Sequence, residues 1–270
     1  MKLFKLIRRL ILLLIVFTIL LCFSYAYFLS PDDYTFKNHD YINSLLDSSL
    51  NGLKIAYISD INITDNNSIE RLEKIIKELN EKPFDIILFG GDLYDQDVIE
   101  TKKISSLLKS IDCEYGKFAI LGEKDQDSKI EVTQVLNNGG FEVLNNEVRT
   151  LYYKNANLTL VACDEKTNIK KLKIPKNNLS ICLTHQPDNF IKNKEYIDLQ
   201  LSGHSYGGSI YIPYLGALNT FEGAKTYNHG SYVENKSTLI ISNGVSGPSS
   251  FPYKLFARNQ INFITLKTSG

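Results

Sequence analysis

Hydrophobic positions divide this chain into three textures. Over residues 10–29 they are nearly continuous, interrupted only by Thr18 and Ser24. About 20 apolar residues suffice for a helix to cross a bilayer. Lys2, Lys5, Arg8 and Arg9 precede the run, and basic residues ahead of a span hold that end in the cytoplasm. Residues 1–29 are therefore expected to form a cytoplasmic basic end and a single-pass transmembrane signal anchor, with the rest of the chain on the extracytoplasmic side of the cell membrane. A cleaved signal peptide competes, because Ser24-Tyr25-Ala26 offers small residues near a cleavage site. A lipoprotein site at Cys22 is disfavoured by the bulky Leu21 before it. Residues 30–52 are polar and weakly patterned, which suits a linker, and His39 within them is expected to be solvated.

Residues 53–270 carry the folded pattern. An apolar run over 53–59 ends in Asp60. Asn67 with Glu70 resembles a capping box for a helix whose Leu72, Ile75, Ile76 and Leu79 share one face, until Pro83 stops it. A second strand-like run over 86–89 meets Gly90, Gly91 and then Asp92. Ile104, Leu107, Leu108 and Ile111 predict a second amphipathic helix, and 117–121 a third strand that ends in Gly122-Glu123-Lys124-Asp125. Another helix begins at Ser128, with Glu131 in capping-box position, and stops at Gly139-Gly140. Strands alternating with helices of this length imply βαβ units and a largely parallel core. After Gly140 the runs are short and β-rich: 141–153, 158–163, 179–184, 199–202, 209–214, 238–242 and 261–266. Two sheets packed face to face and flanked by helices fit both halves better than one doubly wound sheet.

Composition narrows the functional classes. With 43% hydrophobic and 22% charged residues the chain can bury a proper core, and its formal net charge of zero gives no reason to expect nucleic acid as a partner. Cys22, Cys113, Cys163 and Cys182 show no paired spacing, which argues against a disulfide framework or a thiolate metal site. Cys163 and Cys182 lie in apolar runs and are expected in the core.

Five strand tips end in ligand-type residues: Asp60, Asp92, Glu123, His185 and His204. Ligands of α/β sheets gather outside the carboxyl ends of strands, and a mixed oxygen and imidazole set suits Mn, Fe or Zn. Turn chemistry alone accounts for any one of these residues, yet not for the repetition on five strands. His229, in a turn-like context, is expected to be structural or at a rim.

Taken in order, Asp60-Ile61-Asn62, Gly91-Asp92-Leu93-Tyr94-Asp95, Gly122-Glu123-Lys124-Asp125, His185 and Gly203-His204-Ser205-Tyr206 resemble the five-block signature of calcineurin-like metallophosphoesterases. Gly207-Gly208-Ser209-Ile210 and the stretch from Ser242 to Leu255 are similar to segments of the membrane-anchored bacterial branch. The resemblance implies an α/β fold, a four-layer α/β/β/α sandwich of the metallophosphoesterase type, with a dinuclear metal centre at one edge. It assigns one metal to Asp60, Asn62, Asp92 and Tyr206, and the other to Asp92, Glu123, His185 and His204. It also places Asp92, Lys124 and Asp125 among the catalytic residues.

The chain departs from the family pattern at Asn62, Glu123, Lys124 and Tyr206. Asn62 and Tyr206 stand where the first site has imidazoles. An amide oxygen is a feeble ligand for these metals and tyrosine ligates well only as phenolate, so one ion rather than two is expected. Lys124 stands where the family has a histidine. An ordinary lysine has a pKa near 10.4 against about 6.5 for histidine, so it serves as a fixed positive charge on phosphate. Losing one metal and the acid removes several kcal/mol of transition-state stabilisation, roughly a thousandfold in rate. Two functions remain open. One is a membrane-anchored phosphoesterase with an impaired or single-metal site, acting on a lipid head group, an envelope polymer or an extracellular phosphoester. The other is a catalytically inactive pseudophosphoesterase that binds or scaffolds.

Overall fold

The computed structural model describes residues 2–44, 46–249 and 251–269. Helix α1 (Lys2–Phe28) has 27 residues, about 40 Å at 1.5 Å per residue. Its leucines, isoleucines and phenylalanines are exposed, and among the described residues it is the one helix long and apolar enough to cross a membrane.

The chain then runs through β1 (Tyr34–Ile42), β2 (Lys54–Ile58), α2 (Asn66–Asn80), β3 (Ile86–Phe89), α3 (Thr101–Lys109), β4 (Lys117–Ala119), α4 (Lys129–Asn138) and β5 (Glu142–Val143). It continues through β6 (Val148–Tyr153), β7 (Ala156–Ala162), β8 (Leu179–Leu183), α5 (Phe190–Asn193), β9 (Leu199–Ser202), β10 (Tyr211–Ile212), β11 (Gly216–Ala217), β12 (Ser231–Glu234), β13 (Ser237–Ile241) and β14 (Asn259–Lys267). One six-stranded sheet has the order β1-β14-β2-β3-β4-β5, the other β12-β13-β9-β8-β7-β6, and β10 pairs with β11. Within the first sheet β2, β3, β4 and β5 are parallel, each joined to the next by a helix, as parallel neighbours require. In the second, β7, β8, β9 and β13 are parallel.

Period-two alternation builds the layers. Ile55, Tyr57, Ile86 and Leu88 face the second sheet, where they meet Leu158, Leu160, Ile181, Leu183, Leu199 and Leu201. Ala56, Ile58, Ile87 and Phe89 face outward onto Ile69, Leu72, Ile76, Ile104, Leu108, Val132 and Leu136 of α2, α3 and α4. Both faces of these strands are covered, which is why they read as continuous apolar runs. The outer face of the second sheet, including Cys163 and Cys182, packs against Phe190 of α5 and against Ile169 and Ile197. This gives four layers, the fourth reduced to α5 and single-turn segments. All four cysteines are free.

Three local expectations are corrected. Asp65, not Asn67, caps α2: its carboxylate accepts the Ser68 N–H at 2.9 Å while Ser68 Oγ accepts the Asp65 N–H at 3.0 Å. Ser128 at the start of α4 makes no side-chain cap. The largest difference concerns residues 30–52, where a linker was expected. They contain β1, which pairs with β14 from Tyr34↔Asn259 to Ile42↔Lys267. An edge strand keeps one side wet, and Lys37, Asn38 and Asp40 give β1 its polar texture. Tyr41, Leu46 and Leu50 are buried nearby. His39 is half-buried rather than solvated, its Nε2 3.0 Å from Asn262 Oδ1, and burial holds its pKa below the ordinary value.

No flexible spacer separates α1 from the sandwich. Tyr25 donates to Asp33, which also pairs with Arg258. Ser30 is buried, accepts the Lys254 N–H at 2.8 Å, and its carbonyl accepts from Asn259 Nδ2 at 3.1 Å.

Candidate metal centre

Because β2, β3 and β4 run parallel, as do β8, β9 and β13, their carboxyl ends meet along one edge of the sandwich. The loops after β2 and β3 continue to pair beyond their strands, with Asp60 N–H donating to Gly91 O at 3.0 Å and Asn62 N–H to Asp92 O at 3.1 Å. Asp60, Asn62, Asp92, His204 and Tyr206 all adopt positive φ, between 49° and 64°. Left-handed backbone is costly for residues with a Cβ and clusters where a fold holds functional side chains. Two glycines make the close approach possible. Gly91 has φ 96° and a Cβ on it would lie 2.4 Å from the Gly122 nitrogen; a Cβ on Gly203 would lie 2.5 Å from Asp60 Oδ2.

Asp60, Asp92 and His185 are fully buried, and one ligand atom from each lies within 4.8 Å of the others. His185 Nε2 is 3.2 Å from Asp92 Oδ2 and 4.0 Å from Asp60 Oδ1. Its Nδ1 stands 2.7 Å from the Gly90 carbonyl, which can only accept, so Nδ1 carries a proton and Nε2 is the nitrogen that faces the cluster. His204 is oriented the same way. Its Nε2 donates to the Glu222 carbonyl at 2.6 Å, leaving Nδ1 directed inward, and the two imidazole rings lie 5.1 Å apart. Among the described residues Asp92 Oδ2, His185 Nε2 and His204 Nδ1 make no well-aligned hydrogen bond, their nearest charged neighbours being one another for the first two and Glu123 for the third.

Charge points the same way. Burial opposes a charged His185 ring, but Asp92 and Asp60 outweigh it and raise the pKa well above the usual 6.5. Burial likewise opposes the charge on Asp92, yet His185 and Lys124 hold it below the usual carboxylate value. Asp60 is pushed up by burial, against the pull of His185, with the Asp92 charge adding to the shift. Two buried carboxylates demand a cation between them. The shift on His185 is that demand expressed as a proton, and the donor set fits one metal ion.

The other half of the expected centre is built differently. Asn62 Nδ2 donates to Ser246 Oγ at 2.6 Å and to the Tyr206 hydroxyl at 3.3 Å, while Asn62 Oδ1 accepts from Lys124 Nζ at 3.1 Å. Lys124 also pairs with Asp95, bonds Ser249 Oγ at 3.0 Å and lies 5.5 Å from the centre of the Tyr206 ring. Burial first, then Asp60 and Asp92, drive the Tyr206 pKa well above 10, so it remains a neutral phenol. A committed amide, a protonated phenol and an adjacent ammonium do not fit a second ion.

The structure also redistributes residues that the sequence placed. Asp60, assigned by resemblance to the first metal, stands with Asp92 and His185. Glu123, at the half-exposed rim, stands with His204 as expected, its Oε1 3.4 Å from His204 Nδ1 and its Oε2 3.3 Å from Gln186 Nε2, and is not among the buried trio. Asp125, expected among the catalytic residues, sits beneath the site. Its Oδ2 accepts the Asp92 and Gly122 N–H groups at 2.8 and 2.9 Å, its Oδ1 the Leu93 N–H at 3.0 Å, and burial with the Asp92 charge raises its pKa to about 6. His229 stacks on Tyr211, ring centres 4.1 Å apart, outside the cluster. Sequence reasoning missed Asp95, Ser246 and Ser249 as partners of Lys124 and Asn62. Asp95 belonged to a quoted block, and the two serines to the late segment already similar to the family.

Comparison with known proteins bears on the family of the chain. The family profile for calcineurin-like phosphoesterase matches residues 53–208. The chain is 28% identical over 262 residues to the uncharacterized metallophosphoesterase YkuE of Bacillus subtilis, covering 92% of this chain and 91% of that one. It is 23% identical to a Danio rerio transmembrane protein with metallophosphoesterase domain, over 82% of this chain and 55% of that protein. It is also 23% identical to the UDP-2,3-diacylglucosamine pyrophosphatase LpxG of Chlamydia muridarum, over 73% of this chain and 79% of that one. The chain belongs to the calcineurin-like phosphoesterase family.

Proposed function

We propose that this protein is a metal-dependent phosphoesterase working with one bound ion, Mn, Fe or Zn, and with the Lys124 ammonium in place of a second. It is held by α1 as a single-pass anchor with the sandwich on the extracytoplasmic side, and it acts on a phosphoester of the envelope, lipid or polymer. The observation that carries this reading is the buried cluster of Asp60, Asp92 and His185, one ligand atom of each within 4.8 Å of the others. Two carboxylates and an imidazole buried together are stabilised by a cation among them.

Asp60, Asp92 and His185 would hold the ion, with His204 beside them. A bound ion would supply Lewis acidity toward a phosphoryl oxygen and would lower the pKa of a water toward neutrality. Asp125 fixes the Asp92 loop, and the Gly90 and Glu222 carbonyls fix the two imidazoles. Lys124 brings a positive charge to the phosphate oxygens on the side where the family has its other ion. The basic residues ahead of α1 support the orientation.

A catalytically inactive pseudophosphoesterase is the second reading, favoured by the saturation of Asn62, Tyr206 and Lys124 by one another. The two are separated with the full chain in detergent, by elemental analysis and by turnover of p-nitrophenyl phosphate and bis(p-nitrophenyl) phosphate with added Mn2+ or Zn2+. The enzyme gives about one ion per chain and turnover that disappears in His185→Ala. Neither metal nor turnover leaves the binding domain standing.

A further inference from the structure

We infer that the substrate is the phosphoester head group of a membrane lipid, taken in place from the leaflet against which α1 ends. This deepens the proposed function and rests on it. A cavity of about 650 Å³ is lined by Asn62, Asp95 and Ser249 on one side, by Arg71 and Asp65, and by Tyr27 of α1 with Tyr253 on the other. Lys124 does not line it but binds Asn62, Asp95 and Ser249, so one wall of the cavity is the Lys124 network. Its Tyr27 side is the end of α1.

Rigid attachment makes this geometry meaningful. One loop joins both sides of the cavity: Ser246 bonds Asn62, Ser249 bonds Lys124, and the Tyr253 ring lies 5.0 Å from Tyr27. The next residue, Lys254, is anchored to Ser30 through its backbone, and its buried side chain donates to the Asn243 and Gly244 carbonyls. A free tether would let the cleft face any direction, whereas these contacts fix it beside the helix. Hydrocarbon is the medium that α1's exposed apolar surface requires. Its end carries Phe23, Tyr27 and Phe28 in ring contact, continued by Tyr253 and Phe251. Aromatic belts of this kind sit at head-group level, so the Tyr27 side of the cavity lies where lipid phosphates lie.

The cavity wall offers a cation for them. Arg71 donates through Nη2 to the Ile61 carbonyl at 3.4 Å; Asp65, which lines the same cavity, and Asp32 attract it electrostatically, though among the described residues neither forms an ion pair with it. A guanidinium with unused donors matches a phosphate or carboxylate near the scissile group. In the reaction a water oxygen forms the new bond to phosphorus, the ester P–O bond breaks, and the lipid alkoxide leaves, taking a proton from solvent. The acyl chains stay in the bilayer throughout.

The test uses the full chain in phosphatidylcholine vesicles containing dioleoyl phosphatidic acid, with p-nitrophenyl phosphate as the soluble comparison. Arg71→Gln, Tyr253→Ala and Tyr27→Ala should each lower the ratio of lipid to soluble-ester turnover at least tenfold. An unchanged ratio in all three overturns the inference. Binding of dihexanoyl phosphatidic acid to metal-free protein separates the two levels of the argument. It should be at least tenfold tighter than that of inorganic phosphate, and Arg71→Gln should abolish the difference. Lipid binding with no turnover of any ester sinks the phosphoesterase and keeps the lipid assignment. Soluble-ester turnover with equal affinity for inorganic phosphate and the short-chain lipid sinks the lipid assignment alone.

Discussion

Asp92 stands between two half-sites that differ in chemistry. On the side of His185 and His204, each imidazole spends one nitrogen on a backbone carbonyl and turns the other to a carboxylate, Asp92 for His185 and Glu123 for His204. On the side of Asn62 and Tyr206, the polar groups are consumed by one another and by Lys124. A cluster held together by one imidazole proton can exchange that proton for a metal ion, whereas a closed network must first break its own hydrogen bonds to admit one. The comparison teaches that satisfied hydrogen bonds, as well as missing imidazoles, set the two half-sites apart, and the proposed single ion rests on that difference.

The largest test removes the shared carboxylate. Asp92→Ala should abolish metal binding by elemental analysis and lower phosphoester turnover at least a thousandfold, about 4 kcal/mol; retention of the ion would dissolve the distinction between the half-sites. Restoring the lost side comes next. Asn62→His with Tyr206→His and Lys124→His should raise metal content from about one to about two ions per chain and turnover by about a hundredfold. Lys124 must be part of this triple variant, because its ammonium lies against Asn62. Should the two-ion protein be no faster, the first half-site has been rebuilt rather than eroded.

Much of this contrast is legible in the sequence. Strand-tip residues are local signals, so Asp60, Asp92, His185 and His204 stand out before any contact is known, and Asn62 and Tyr206 declare the missing imidazoles. Three things stay hidden for physical reasons. β1 reads as a linker because an edge strand with one wet face lacks an apolar run, and its partner β14 lies at the far end of the chain. Asp125 looks like a reacting carboxylate, although backbone amides engage both of its oxygens. Ser246 and Ser249, on one late loop, and Arg71, on α2, are distant in sequence and come to line one cavity with Asn62 only in the packed fold.

Asp125 gives a further, smaller separation. Asp125→Asn replaces one of two accepting oxygens with a donor, which then faces either the Asp92 and Gly122 amides or the Leu93 amide, so metal affinity should weaken about 10–100-fold, the usual cost of losing a group that orients a ligand. Titrating Mn2+ into the variant checks this, and undiminished affinity would return Asp125 to the reacting groups. Lys124→Gln should act on the other half-site alone, lowering kcat/KM about tenfold with metal content unchanged, in line with the loss of one charged hydrogen bond.

The finest contrast is in pH. Metal-free, His185 has its pKa raised above 6.5 against the effect of burial by Asp92 and Asp60. A raised histidine contributes stability that is fully present below about pH 6.5 and is lost as pH rises through the folded value. The metal-free protein should therefore lose thermal stability above pH 6.5, while the ion, which must displace that proton, should bind up to tenfold more tightly per pH unit over the same range. The melting-temperature gain on adding Mn2+ should accordingly grow as pH rises. Asn62→Asp, which alters the neighbouring half-site and leaves His185 in place, should keep this slope, and His185→Gln should flatten it. A slope that survives His185→Gln would assign the proton to another group and detach the imidazole from the ion.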